Sequence, residues 1–454
     1  MITENPMNAL ERRSVTALAG LYSFRMLGLF MVLPLLSLYS ERFAGSSAFL
    51  LGLALGAYGL AQALLQIPFG LVSDRIGRKP VIVFGLLLFA AGSLWAAQAE
   101  TIYGLIGGRV LQGTGAIAST VMALVADLTR DEQRTKAMAV VGISIGASFA
   151  LALVLGPLLA SWGGLSLVFY VTAALAVTGI VIVWRAVPTP SPLPGVHRDS
   201  GTVPSLLARS VLDVGLTRLN LSVFLLHFIL MAGFVVLPLI MEQALGLHRD
   251  QHWLVYLPTL LLSLVGMVPL LVWGERKEHL KAAFVVAIVL LAISQGLMGN
   301  PAGAVGFYAG LWLFFVGFNY LEATLPSLVS KTVYAGGKGT ALGVYSTFQF
   351  LGAFAGGALG GLTLQYWGGG AVFSVCIALI LLWLLVIFGM RPPRNLSDVV
   401  LRLPADESQW DKRLLPLRNA AGVEELLLLK EQRTVYLKVD ESVFDRSLVI
   451  EPSA

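Results

Sequence analysis

The sequence predicts an all-α polytopic membrane protein, twelve transmembrane helices in two six-helix halves, followed by a small α+β domain. Three observations predict it: the composition, the spacing of the apolar runs, and an internal repeat. Of the 454 residues, 57% are hydrophobic and 13% charged, and the mean hydropathy is +0.80. A chain of this length cannot cover a water-facing surface with so few charges, so lipid is the solvent for most of it. The formal net charge of +5 comes from short basic loops and not from a folded basic patch, which argues against a nucleic-acid partner. The one cysteine, Cys376, sits in an apolar run and excludes a disulfide framework and a thiolate metal site. No metal and no cofactor is expected. The first 13 residues are polar, end in Arg12 and Arg13, and lead into an apolar run too long for a signal-peptide core, so no cleavable leader is expected.

A bilayer core needs about 20 apolar residues per helix. Runs on that scale fall near 14–40, 48–70, 80–98, 101–127, 137–162 and 166–187, then near 218–245, 252–274, 281–299, 303–330, 340–366 and 369–390. Each must be a helix, because an open strand cannot satisfy its backbone in lipid. Arg12, Arg13, Arg75, Arg78, Lys79, Arg130, Arg134, Lys136, Arg276, Lys277, Lys281, Lys331, Lys338, Arg391 and Arg394 belong to one set of loops. The other short loops hold little beyond Arg42 and Arg249, so both termini are expected in the cytoplasm. Residues 1–187 form the first half and 218–390 the second. The stretch 188–217, beginning PTPSPLPGVHRDSG, reads as a cytoplasmic linker, and 391–454 as a soluble tail.

Slid along itself by one constant offset, the sequence lays Phe30-Met-Val-Leu-Pro34-Leu35 on Phe234-Val-Val-Leu-Pro238-Leu239. The same offset brings Gly70 onto Gly274, Asp74 onto Glu278, Gly113 onto Gly317, Arg134 onto Lys338 and Gly156 onto Gly360. The halves therefore read as a parallel repeat with a site between them near the midplane. Spans 3, 6, 9 and 12 carry few hydrogen-bonding side chains and suit the lipid-facing periphery. The other eight hold Arg25, the Tyr58, Gln62 and Gln66 stripe, Arg109 with Gln112, His227, Tyr256, Asn319 with Glu322, and Tyr345 with Gln349. Helical spacing puts each set on one face, and such groups in a membrane face a cavity or one another.

Gly70-Leu-Val-Ser-Asp74-Arg75-Ile-Gly77-Arg78-Lys79 resembles the loop 2–3 signature of the major facilitator superfamily at every defining position, and Gly108-Arg-Val-Leu-Gln-Gly-Thr-Gly-Ala116 resembles its fourth-helix signature. The resemblance spans roughly residues 14–390 and implies the major facilitator fold, secondary transport and a bacterial inner-membrane location. The antiporter signature of the fifth helix is poorer: Gly156-Pro157 is present, but Ala160-Ser161 replaces the following glycine pair. With its soluble tail the chain is similar to the YajR-type, drug:proton antiporter-like transporters. In the tail, a strand at 399–404, a helix at 406–421, a hairpin and a short final helix at 442–449 fit a ferredoxin-like domain. Related domains carry paired cysteines to bind metal, and this tail has none.

Gly70, Asp74, Arg75, Gly77, Arg78 and Lys79, joined by Asp127 at the end of span 4, are expected either to gate the cytoplasmic side or merely to fix topology. In the gating reading Asp74 pairs with Arg78 and with helix ends of the other half. Glu322 is the first candidate for proton coupling, since a mid-span carboxylate is costly when ionised and can neutralise by taking a proton. Its alternative is permanent pairing with Arg25 or Arg109. His227 could titrate beside it. Arg25 and Arg109 cannot discharge, so they set the local field or bind an anionic group. Tyr58, Gln62, Gln66, Gln112, Tyr256, Asn319, Tyr345 and Gln349 are either substrate wall or interhelix hydrogen bonds. No Walker-type glycine loop and no nucleophile–base set is visible, so neither ATP drive nor an enzyme is expected. The expected function is proton-coupled export of a small molecule by alternating access, by a monomer. The alternatives are a symporter or uniporter of the same fold, and a membrane sensor that signals through the tail.

Overall fold

The computed structural model describes residues 6–189, 204–276, 279–300, 303–390, 396–404, 406, 410–429, 433–440 and 443–445. Asn8 opens the first helix with a reciprocal cap: its side chain accepts the Glu11 N–H and the Glu11 carboxylate accepts the Asn8 N–H, each at 2.8 Å. Helix α1 (Ala9–Phe30) follows and stops short of Pro34, which lacks the N–H that another turn would need. The expected span 14–40 is thus a helix to Phe30, irregular turns, and a 3-10 helix at Leu36–Arg42.

Helices α2 (Ala48–Ile76) and α3 (Arg78–Gln98) match their spans, and Ser47 caps α2 by accepting the Leu50 N–H. The fourth span is broken into α4 (Ile102–Thr114) and α5 (Ala118–Asp127). At the break, a methyl group on Gly115 would strike the Gly85 carbonyl, so the close approach of α3 requires glycine. Spans 5 and 6 form α6 (Asp131–Arg185), interrupted at Gly163 and Gly164. Gly164 has φ +63°, a left-handed conformation that glycine adopts without strain.

Residues 190–203 of the expected linker lie outside the described residues. The end of the linker folds as α7 (Pro204–Leu212), which buries Leu206 and Ser210 and exposes Leu212. The second half continues as α8 (Val214–Gln243), α9 (Trp253–Gly274), α10 (Leu280–Gly299), α11 (Gly303–Thr332), α12 (Lys338–Trp367) and α13 (Gly369–Phe388). Every expected span has a helical counterpart. Among the described residues, 10 helical segments are long and apolar enough to cross a membrane. One of them, Lys136–Arg185, contains the Gly163–Gly164 break, and α1, which carries Arg12, Arg13 and Arg25, is not in the set. Phe84 and Leu87 on α3, Val181 and Trp184 on α6, and Leu385 and Phe388 on α13 are exposed, as lipid-facing positions are.

Glycines join the halves. A methyl group on Gly56 of α2 would sit 2.6 Å from the Phe354 carbonyl oxygen of α12, and one on Gly357 would sit 2.5 Å from that of Gly52. On its other face α12 uses Gly352, Gly356 and Gly360 to approach α8 at Phe224, Phe228 and Ala232. Small residues four apart let helix backbones come together where lipid supplies no hydrophobic drive. This seam lies toward the Ala48 end of α2, away from the 70–79 loop.

In the tail, β1 (Ser397–Arg402), α14 (Trp410–Arg418), β2 (Val423–Leu429) and β3 (Thr434–Val439) form a sheet of order β1-β3-β2, with both pairings antiparallel. Leu437 faces Val399 on one side and Leu426 on the other. This is the split β-α-β arrangement of a ferredoxin-like fold. Trp410, Leu414 and Leu417 pack on Val435, Leu437 and Val439 to make its core. The expected final helix at 442–449 falls largely outside the described residues.

The tail touches the bundle. Glu425 of β2 pairs with Arg209 of α7 at 2.6 Å and accepts the Ala335 N–H at 3.1 Å. Arg209 lies 4.1 Å from the Tyr334 ring, whose hydroxyl meets Ser210 Oγ at 2.7 Å.

Candidate functional site

Three polar groups lie at separate places in the bundle. The first is the 70–79 loop. Gly77 turns the chain from α2 into α3 with φ +98°, which disfavours any other residue. Gly70 is less demanding, since a methyl group there would lie 3.4 Å from Ser119 Oγ. The turn delivers Arg78 to Asp74 at 2.5 Å, Asp127 at 3.1 Å and Ser73 Oγ at 2.7 Å. Charge-assisted bonds of this kind, largely shielded from solvent, are worth more than surface pairs. Every one of these partners belongs to the first half, and among the described residues Asp74 forms no ion pair with the other half. Arg75 is exposed, and Lys79 reaches Thr189 at 3.5 Å.

Beside the loop, Arg130 grips Glu11 with Nε at 2.8 Å, Nη2 at 3.0 Å and its backbone N–H at 3.0 Å. These bonds, the Arg130 side chain foremost, hold the Glu11 carboxyl at about 2. Sequence reasoning missed this clasp. The Asn8-x-x-Glu11 capping pattern was its legible half.

The second group lies inside the first half. Arg25, 1% exposed, donates from Nη2 to Gln62 Oε1 at 2.8 Å and to the Gly115 carbonyl at 2.9 Å. That carbonyl is available because the helix is broken there. Arg109, fully buried, donates to Gln112 Oε1 at 2.8 Å and to the Ala54 carbonyl at 3.3 Å. The Tyr58 ring lies 5.8 Å from Arg25 and 5.4 Å from Arg109. Gln112 also donates to Ser93 Oγ at 2.7 Å, so it ties α4 to α3. Gln66 is buried one turn beyond Gln62.

The third group joins three helices of the second half. Gln349 Nε2 of α12 lies 2.8 Å from His227 Nε2 of α8 and 3.2 Å from Glu322 Oε1 of α11. His227 Nδ1 faces the Val223 carbonyl at 3.1 Å, and its Nε2 is 3.8 Å from Glu322 Oε2. Glu322 does not pair with Arg25 or Arg109; neither arginine forms an ion pair among the described residues. Asn319 Nδ2 donates to Ser263 Oγ at 2.9 Å, one turn from Glu322. Tyr345 is buried one turn from Gln349, and Tyr256 packs 6.1 Å from Phe234, away from the other groups. The Tyr58 and Phe350 rings, 6.3 Å apart, lie between the second and third groups, with Phe350 directly after Gln349.

No group of three or more His, Cys, Asp or Glu able to hold a metal occurs among the described residues. The family model of the Major Facilitator Superfamily matches residues 18–357. The chain is 44% identical over 437 residues to the inner membrane transport protein YajR of Escherichia coli, covering 96% of each. It is 29% identical over 364 residues to the multidrug resistance protein MdtH of Aeromonas hydrophila, covering 76% of this chain and 84% of that one. Among solved structures, the human organic anion transporter MFSD10 superposes with a TM-score of 0.63 at 22% identity, covering 84% of this chain and 100% of that chain. A bacterial homologue of the human lysosomal transporter Spinster, inward-facing and occupied, gives 0.64 at 13%, covering 84% and 97%. At those identities the structures speak for the fold alone. Family model, relatives and helical architecture agree that the chain belongs to the major facilitator superfamily, as a membrane transporter and not an enzyme.

Proposed function

We propose that the chain is a proton-coupled exporter of a small molecule in a bacterial inner membrane, with both termini in the cytoplasm and Glu322, His227 and Gln349 as the proton site. The carrying observation is the donor count at Gln349. Neutral His227, with its Nδ1 proton given to the Val223 carbonyl, offers Nε2 as an acceptor, and ionised Glu322 offers Oε1 as another. The two N–H groups of the Gln349 amide fill both. A proton on His227 Nε2, or on Glu322 Oε1 and not the unpartnered Oε2, sets donor against donor, which the amide relieves by turning or α12 by shifting. Because α12 also carries the glycine seam to α2, a proton at this site is coupled to the contact that seals the bundle. With the proposed topology the seam lies on the outer side. The 70–79 latch lies on the cytoplasmic side, where it stiffens the first half as a unit. The tail acts as an accessory held by Arg209 and Glu425.

Everted membrane vesicles with an imposed pH gradient test this, using anionic, neutral and cationic fluorescent dyes as cargo. An exporter moves at least one dye with proton flux in the opposite direction, and Glu322→Gln removes the exchange while leaving the protein in the membrane. Proton flux in the same direction as the dye makes it a symporter. Unchanged exchange in Glu322→Gln removes Glu322 from the mechanism.

A further inference from the structure

We propose that Arg25, Tyr58 and Gln62 form the recognition site for a carboxylate group on the transported molecule; this rests on the transport reading above. Arg25 has five N–H groups, and only those on Nη2 are used, by Gln62 and the Gly115 carbonyl. Its Nε and Nη1 are buried and have no hydrogen-bond partner. The same is true of Gln62 Nε2 and, one turn along α2, Gln66 Oε1, while Tyr58 Oη has Arg25 itself as its nearest polar neighbour, short of good hydrogen-bond geometry. Arg25, Tyr58, Gln62 and Gln66 are each at most 2% exposed. Buried polar atoms normally find partners, and unfilled donors converging from two helices describe the complement of an acceptor-rich group.

Charge points the same way. Arg109 adds a second guanidinium, 5.4 Å from the Tyr58 ring centroid, and its partners are an amide and backbone carbonyls. Two permanent cations therefore share a buried interior with only neutral partners. A buried cation without a counter-charge is strongly disfavoured, and these cannot discharge. A cationic or neutral group would leave that imbalance in place, whereas a carboxylate removes it and takes up the free donors. The site also sits where α4 gives way to α5, and interrupted helices within membrane spans mark substrate sites because their end groups are free to bind. The Gln66 side-chain oxygen Oε1, an acceptor, suits a ligand with a hydroxyl or N–H one turn from its carboxylate. As the cluster is closed in this structure, access requires the helices around α2 to part.

Thermal stabilisation of the purified full-length chain tests the site, with acetate, benzoate, salicylate and 2-naphthoate as probes, each beside its neutral amide. At least one carboxylate is expected to raise Tm saturably, with its amide ineffective. Arg25→Gln is expected to weaken that binding at least tenfold. If Arg25→Gln does not fold, Tyr58→Phe and Gln62→Leu, which keep the cation, are read instead, each with an expected loss of three- to tenfold. Arg25→Lys keeps the charge and is expected to recover part of the binding. Stabilisation by none of the four anions, equal stabilisation by an amide, or unchanged affinity in the Arg25, Tyr58 or Gln62 variants overturns the proposal. Binding is read without a proton gradient, so failure of Glu322 to couple protons leaves this result standing. Lost anion binding with intact exchange in the vesicle assay sinks this site alone.

Discussion

The two halves are related by a sequence repeat and unequal in chemistry. The first half holds fixed charge in its interior: Arg25 and Arg109, neither in an ion pair among the described residues, 5.8 and 5.4 Å from the Tyr58 ring centroid. The second holds titratable groups, His227 and Glu322, bridged by Gln349. A group that cannot discharge can attract a ligand in every state of the cycle. A group that can discharge is able to change the state. On the proposed reading the first half holds the ligand and the second switches, and the Tyr58–Phe350 ring contact lies between them.

The largest expected effect comes from breaking the seam that lets the halves act on each other. A side chain on Gly52 has no room beside Gly357, and overpacking of this kind costs about 1–3 kcal/mol, which the molecule relieves by parting α2 from α12. Gly52→Leu is expected to reduce transport at least tenfold. It should also make a cysteine placed at Gly361 reactive from the outer side, whereas in the parent background that position is shielded. Full transport in this variant would mean that the halves communicate elsewhere.

A smaller effect is expected at the 70–79 latch, which tests whether the first half must move as one piece. Asp74→Asn removes one carboxylate from Arg78 and leaves Asp127 and Ser73 in place. Transport should fall by about three- to tenfold with insertion and topology unchanged, as expected for a charge-assisted bond of about 1.5–3 kcal/mol of which part is retained. Activity equal to the parent would reduce the loop to a topology signal. The second-half counterpart, GERKEHLKAA at 274–283, keeps a glycine and an acid but lacks the Asp-Arg-x-Gly-Arg pattern, so the latch belongs to one half.

Much of this was legible in the chain itself, because bilayer thickness fixes span length and glycine marks its reversals. The break at Gly163–Gly164 falls between the spans read as 137–162 and 166–187. What escaped was set by packing. Pro34 and Pro238 occupy equivalent places in the repeat, yet α1 stops before the first while α8 continues through the second. The interruption of span 4 depends on how near α3 comes to Gly115, which no local pattern reports. Glu322, His227, Gln112 and Gln349 were each conspicuous as polar residues in apolar runs. That three of them converge while Gln112 is bound to Ser93 is a matter of tertiary pairing. The Gly352, Gly356 and Gly360 spacing on α12 was a readable helix-packing signal that went unused.

The smallest effect separates the halves by pH. In the repeat, Arg130 of the first half corresponds to Tyr334 of the second, and both anchor the loop after the fourth helix of their half. Arg130 does so with an ion pair to Glu11, outside the membrane span, and Tyr334 with hydrogen bonds to Ser210 and the Leu206 carbonyl. Glu11 is held at about 2 against an ordinary 4.5. A lowered folded-state pKa gives stability that is present above the unfolded value and is lost as pH falls from about 4.5 toward 2. The full shift corresponds to about 3 kcal/mol, and the exposure of Arg130 reduces what is realised to about 1–2 kcal/mol. Glu11→Gln should therefore lower Tm by a few degrees at pH 7 and flatten the acid limb of the stability profile below pH 4.5. Tyr334→Phe should lower Tm by a comparable or smaller amount at every pH. If both variants lose stability in parallel across the acid range, the first half is not the acid-sensitive one, and the chemical inequality of the halves stops at the membrane interior.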